Sequence, residues 1–224
     1  MVTKTLTSKA FIFDLDGTII DTTPLVIKFW TNLALQNNLN PQEILETSHG
    51  RRTIETLERW LPHMATTEKV IELEAGLAQE MEGVIVLPGV QEVLSSIQKE
   101  DWTINTAGTN AMATTRLQQF NISLPNEMAT GDKLTYGKPH PEGYLLASKI
   151  IKRDPKDCIV FEDAPAGVRA AIAAGMQCIA CTTTHTIEQL KEAGATVIVD
   201  FFTHVRIERQ SDGVYTVVID NVIE

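Results

Sequence analysis

The sequence predicts an α/β protein: a parallel sheet flanked by helices, an all-helical insertion behind the first strand, and a C-terminal β-hairpin. Three observations predict it. From residue 88 onward short apolar runs alternate with helical patterns, and strands separated by helices imply a parallel sheet with helices on both faces. Residues 23–87 carry apolar residues at helical spacing and no convincing strand. Residues 205–219 hold two β-rich runs around Ser211-Asp212-Gly213, a hairpin signal.

The elements follow in order. Residues 10–13 are apolar and β-prone and end at Asp14, which reads as a buried first strand followed by a turn at Gly17. Behind it, Val26, Phe29, Trp30, Leu33 and Ala34 recur at helical spacing. Asn40-Pro41 reads as an N-cap followed by proline at the first helical position. Thr53 opens a helix that Pro62 ends, and Thr67 opens another that carries Ile71 and Leu77. After Pro88-Gly89, the residues Val90, Val93, Leu94 and Ile97 form one helical face. Strands are expected at 103–106, near Met128, and at 158–161, 177–181 and 196–199. Helices are expected between them at 110–120, 141–150, 166–174 and 187–193. The implied division is a core of residues 1–22 and 88–224 and a helical insertion of residues 23–87.

The chain has 224 residues, 43% hydrophobic and 21% charged, which is ordinary for a globular protein with a sizeable core. Its formal net charge of −10 argues against a nucleic-acid binder, which needs a basic stripe. The same charge argues against docking on an anionic membrane. An anionic substrate would need local positive charge from a metal, a lysine or backbone N–H groups. No apolar run approaches the roughly 20 residues of a spanning helix. Residues 1–10 are polar and lack the apolar core of a signal peptide. A cytoplasmic location is therefore expected. The three cysteines, Cys158, Cys178 and Cys181, fit a reducing compartment without a disulfide framework. Cys178-x-x-Cys181 has the spacing of a zinc or redox half-site. Inside a strand, however, positions three apart face opposite sides, so both are expected to be buried core residues.

In open parallel sheets, ligands bind beyond the carboxyl ends of the strands. Polar residues gather at those places here. Asp14 and Asp16 follow the first run, in Phe13-Asp14-Leu15-Asp16-Gly17-Thr18. Thr106-Ala107-Gly108 follows the next, Lys138 lies in Gly137-Lys138-Pro139-His140-Pro141, and Glu162-Asp163 follows the run from Cys158. Taken singly, each has a plain structural explanation: turn acids, a strand-ending threonine, a solvated lysine or a helix cap.

The ordered set resembles the four motifs of the haloacid dehalogenase superfamily of phosphatases, and the helical insertion matches the position of that family's cap. The segments His49-Gly50-Arg51-Arg52-Thr53, Thr106-Ala107-Gly108-Thr109, 137–142 and 160–167 are similar to a fungal branch of it. That branch holds glycerol-phosphate phosphatases and 2-deoxyglucose-6-phosphate phosphatases, and the likeness runs over nearly the whole chain. The resemblance implies a Rossmann-like core with a helical cap, a small phosphorylated polyol or sugar as substrate, Mg2+ as cofactor, and a monomer.

The resemblance also implies roles, and each has a physical reason. A phosphate ester dianion repels nucleophiles, so its charge must be neutralised first. Asp14 and Asp163 would hold Mg2+, with the backbone carbonyl at Asp16, and Glu162 would contact it directly or through water. Asp14 would attack phosphorus, and Asp16 would protonate the leaving alkoxide and then activate water. Thr106, Ala107 and Lys138 would hold phosphate oxygens. His49, Gly50 and Arg52 would face the substrate from the cap, where an anion needs cationic partners. Two other functions share this scaffold. A sugar phosphomutase uses the same carboxylates, and a non-catalytic binding protein should have lost one of the two first aspartates, both of which are present.

Overall fold

The computed structural model describes residues 2–223. Lys4–Ser8 (β1) precedes the run Ala10–Phe13 (β2). Every residue of β2 is buried, as an apolar strand must be when both faces of its sheet are covered. Next come Ile20–Asp21 (β3) and the helices Thr23–Gln36 (α1), Pro41–Ser48 (α2), Thr53–Trp60 (α3) and Thr67–Gln79 (α4). Ile85–Val86 (β4) returns antiparallel to β3. The chain continues through Val90–Ser95 (α5), Trp102–Ile104 (β5), Asn110–Gln119 (α6), Glu142–Ile150 (α7) and Cys158–Glu162 (β6). It ends with Pro165–Ala173 (α8), Gln177–Cys181 (β7), Ile187–Ala193 (α9), Val197–Val199 (β8), Val205–Arg209 (β9) and Tyr215–Ile219 (β10).

The main sheet is parallel, in the order β5-β2-β6-β7-β8. Strand periodicity divides its side chains between two cores. Phe11, Phe13, Ile159 and Phe161 enter one, and Ala10, Ile12, Val160 and Cys178 enter the other. Phe13 and Phe161 stack at 4.6 Å between β2 and β6. Cys181 lies on the Phe face and Cys178 on the opposite one. Both are free and buried, so the Cys-x-x-Cys spacing joins nothing. Burial pushes the Cys178 and Cys181 thiols upward, which keeps them inert.

Helices α1–α4 pack around a third apolar cluster that includes Trp30, Leu33, Ile44, Leu57 and Val70. Their boundaries follow the expected local signals. The Asn40 side chain accepts the N–H of Gln42 with Pro41 behind it, and Thr66 accepts the N–H of Lys69 at the start of α4. Among the described residues no helix is long and apolar enough to cross a membrane.

Three details differ from the sequence expectation. The residues before Ala10 form a strand, β1, because β10 of the C-terminal hairpin pairs with all five of its residues. The range 23–87 contains β4, a two-residue strand stabilised only by its pairing with β3. No strand forms near Met128; a single bridge from Asn105 to Ala129 replaces it. All three depend on partners distant in sequence, which local pattern does not carry.

Candidate active site

Strand β2 lies between β5 and β6, so the groups leaving these three strands meet at one edge of the sheet. The Asp14 N–H donates to the Phe161 carbonyl at 2.9 Å, which extends the β2–β6 ladder one residue into the site. The Thr106 N–H donates to the Ala129 carbonyl at 3.0 Å on the other side. Gly17 then turns the chain back with φ +88°, and a Cβ there would collide with the Asp163 carboxylate. Only glycine meets both demands.

The Lys138 ammonium sits at the centre. It donates at 2.5 Å to Asp14 Oδ1 and at 2.5 Å to Glu162 Oε1. Burial alone would lower its affinity for a proton, but the two carboxylates outweigh that and raise it. Glu162 is fully buried and its oxygens are well occupied. Oε1 also accepts the Tyr144 hydroxyl at 2.8 Å, and Oε2 accepts the N–H groups of Asp163 and Ala164 at 2.8 and 2.9 Å. Burial works against its ionisation, yet Lys138 and these donors hold it below the usual carboxylate range.

Asp14 and Asp163 differ from Glu162. Burial pushes Asp14 up to about 7 against the pull of Lys138. Burial, then the charges of Glu162 and Asp14, drive Asp163 well above its ordinary value. Asp163 accepts the Thr18 hydroxyl at 3.2 Å and the Thr184 hydroxyl. One oxygen from each of Asp14, Glu162 and Asp163 lies within 4.8 Å of the others. Three buried carboxylates against one lysine leave an excess of negative charge where water cannot screen it. That donor set fits a hard divalent cation, with Asp14 and Asp163 better placed to hold it than Glu162.

Asp16 stands half-buried beside them, its Oδ1 accepting the Thr22 hydroxyl at 2.8 Å. Burial raises its pKa, an effect the Thr22 hydroxyl offsets in part. Asp14, Asp16, Asp163, Ala107 and Gly108 line a cavity whose opposite wall comes from α1, α4 and the loop between α2 and α3, including His49, Gly50 and Arg51. Burial lowers the pKa of His49, so it faces the cavity more readily as a neutral ring. Thr106 is buried, its Oγ1 accepting the Gly108 N–H at 3.1 Å.

The structure does not bring Arg52 to this cavity. Its guanidinium donates to Glu55 Oε1 at 3.1 and 2.7 Å and to the carbonyls of Gly131, Leu134 and Thr135 at 3.4, 2.6 and 2.8 Å. Glu55 Oε1 also accepts the Gly137 N–H at 2.8 Å, one residue before Lys138. Arg52 is thus a strut from the helical insertion to the loop that carries the lysine. Arg52→Ala is expected to lower stability by about 2–4 kcal/mol, because the buried carbonyls and Glu55 lose charged donors. An unchanged melting temperature would remove this role.

Several site residues were not legible beforehand. Thr22 and Tyr144 give no local signal, since each acts through a partner fixed by the fold. Thr184 had a usable one: it follows β7, where the strand-end rule applies equally. Glu55 and Glu74 look like ordinary surface acids of amphipathic helices in sequence.

Carboxylates and a lysine converging at the carboxyl edge of a parallel sheet, opposite a helical insertion, define a site for phosphoryl-type chemistry. A family model for haloacid dehalogenase-like hydrolases matches residues 8–175, and the chain belongs to that family. It is 33% identical over 210 residues to hexitol phosphatase A of Escherichia coli, covering 92% of this chain and 96% of that protein. It is 35% identical over 221 residues to glycerol-1-phosphate phosphohydrolase 2 of Saccharomyces cerevisiae, covering 92% of this chain and 88% of that protein. Among solved structures, a β-phosphoglucomutase of Clostridium difficile is similar with TM-score 0.75 and 28% identity, over 89% of this chain and 93% of that one. With this membership and these relatives, the protein is an enzyme, a phosphoric monoester hydrolase.

Proposed function

We propose that the protein is a Mg2+-dependent phosphatase that hydrolyses a small phosphorylated polyol or sugar through an acyl phosphate on Asp14. The observation that carries this reading is the Asp14 carboxylate, paired with Lys138 at 2.5 Å and lining the same cavity as Asp16 and Asp163. The relatives that act on hexitol phosphates and glycerol 1-phosphate support the substrate class.

Helices α1–α4 would act as the cap, excluding water while the leaving group is held. Asp14, Asp163 and the Asp16 carbonyl would hold Mg2+, which supplies charge neutralisation to an incoming phosphate. Asp14 attacks phosphorus as the alkoxide leaves with the proton of Asp16. Burial keeps that proton on Asp16 to a higher pH than usual, as a general acid requires. Asp16, now ionised, takes a proton from water, the resulting hydroxide attacks phosphorus, and Asp14 is regenerated as phosphate departs. Lys138 and the Ala107 N–H hold phosphate oxygens throughout, and Glu162 fixes the lysine.

The test is phosphate release from a panel of phosphorylated polyols and sugars with Mg2+, without any bisphosphate. EDTA is expected to stop the release and Mg2+ to restore it. Asp16→Ala is expected to slow it by about 10²–10⁴-fold, least for a phenolic leaving group that needs no proton. A phosphomutase, the other reading on this scaffold, would interconvert isomers with little net phosphate. That outcome, or full activity in EDTA, would overturn the proposal.

A further inference from the structure

Glu74 of α4 has no part in the chemistry above, yet it is a buried carboxylate at the edge of the active-site cavity. Its Oε1 accepts the Thr53 hydroxyl at 2.7 Å, and its Oε2 accepts the Thr109 N–H at 2.8 Å. One side chain therefore ties together α4, the first residue of α3 and the N-cap of core helix α6. The active-site cavity is small, ≈ 90 Å³. Beyond Glu74 lies a second, larger one of ≈ 460 Å³ between α4 and α6, walled mostly by apolar groups such as Ile54, Val70 and Ile71. Thr53, Glu74, Ala107 and Met112 line both. These four residues are the partition between them, and Glu74 is its only carboxylate.

From this juxtaposition we infer that Glu74 sets the length of the substrate's leaving group. The inference rests on the phosphatase reading and adds a size limit to it. At about 10–15 Å³ per water-sized group, the small cavity holds about six to nine such groups. A phosphate and a three-carbon polyol already fill or slightly exceed that space, whereas a six-carbon chain runs well past it to the partition. The partition also has chemistry. A carboxylate can accept about four hydrogen bonds. Glu74 accepts two from the protein, so each oxygen keeps a free lone pair for a substrate hydroxyl. A leaving group with hydroxyls near its end matches this wall, whereas a second phosphate or a carboxylate would be repelled by it.

Two variants open the wall from its two sides. Glu74→Ala removes it from α4, and Met112→Ala removes it from α6 with no change of charge. The readout is the ratio of kcat/KM for a hexitol 6-phosphate to that for glycerol phosphate. In either variant this ratio is expected to rise about tenfold or more, the scale of a removed steric limit. Glu74→Gln keeps the size of the wall and should leave the ratio near that of the wild type. A merely structural role would lower both substrates together and leave the ratio unchanged in all variants, which overturns the inference. Binding of the same two ligands with Mg2+, measured by calorimetry in the Asp14→Asn protein with and without Glu74→Ala, separates the two claims. A shift in relative affinity without phosphate release from any monoester in the active-site-intact protein upholds the size limit and removes the phosphatase reading. Phosphate release with unchanged ratios does the reverse.

Discussion

Asp14→Asn is expected to abolish phosphate release, by about 10⁴-fold or more, because an amide oxygen cannot form the acyl phosphate. The substitution preserves shape, so a loss of activity reports chemistry and not collapse. Stability supplies the control. Asp14 is held up to about 7 by burial, which means that its ionised form is unfavourable in the metal-free protein. Removing that charge relieves the crowding among Asp14, Glu162 and Asp163, and Lys138 keeps its contact with Glu162. The melting temperature in EDTA should therefore hold or rise while turnover disappears, the usual conflict between function and stability at a charged site. Turnover close to wild type in this variant would place the nucleophile elsewhere.

Lys138→Met has the second large effect, and it acts on both stability and activity. Methionine fills similar space but leaves the carboxylates of Asp14 and Glu162 buried without their cation. Breaking a buried pair from one side costs about 3–5 kcal/mol. Phosphate release should fall by about 10²–10³-fold, the scale of losing a preorganised charge at a developing transition state. The stability loss should depend on pH in a stated direction. Asp14 already binds its proton more tightly in the folded protein than an ordinary carboxyl does, and losing Lys138 strengthens that preference. A carboxyl whose folded pKa is raised contributes stability below its unfolded pKa and loses it as pH rises through the folded value. The variant should thus melt closer to the wild type near pH 5 than near pH 8. Thermal melts in EDTA at both values check this, and an equal deficit at both would show that Lys138 is not balancing these acids.

How much of this was readable in advance differs by element. The strand at Ala10–Phe13 and its acid Asp14 were legible because a strand covered on both faces is apolar throughout and must end at the first charge. The helix start at Asn40-Pro41 was legible because a cap acts within a few residues. The strands β1 and β4 were not, because their hydrogen-bond partners lie in β10 and β3. Arg52 marks the boundary most sharply. Its charge and its place in the loop pointed toward an anionic substrate, but beyond the nearby Glu55 nothing local reveals that three backbone carbonyls of residues 131–135 surround it.

By itself the sequence determined the α/β class, the family and the order in which Asp14, Asp16, Thr106, Lys138, Glu162 and Asp163 meet the carboxyl edge of the sheet. The class follows from period-two and helical patterning, the placement of these residues from the rule that strand ends carry the chemistry, and the family from the resemblance of the ordered motifs. Only the tertiary structure decided that Lys138 pairs with both Asp14 and Glu162, that Arg52 supports the loop before Lys138, and that Glu74 lines both cavities. Each of those depends on distances of a few ångströms between groups far apart in sequence, such as Asp14 and Lys138, 124 residues apart, and hydrogen bonds and buried charges are decided at that range.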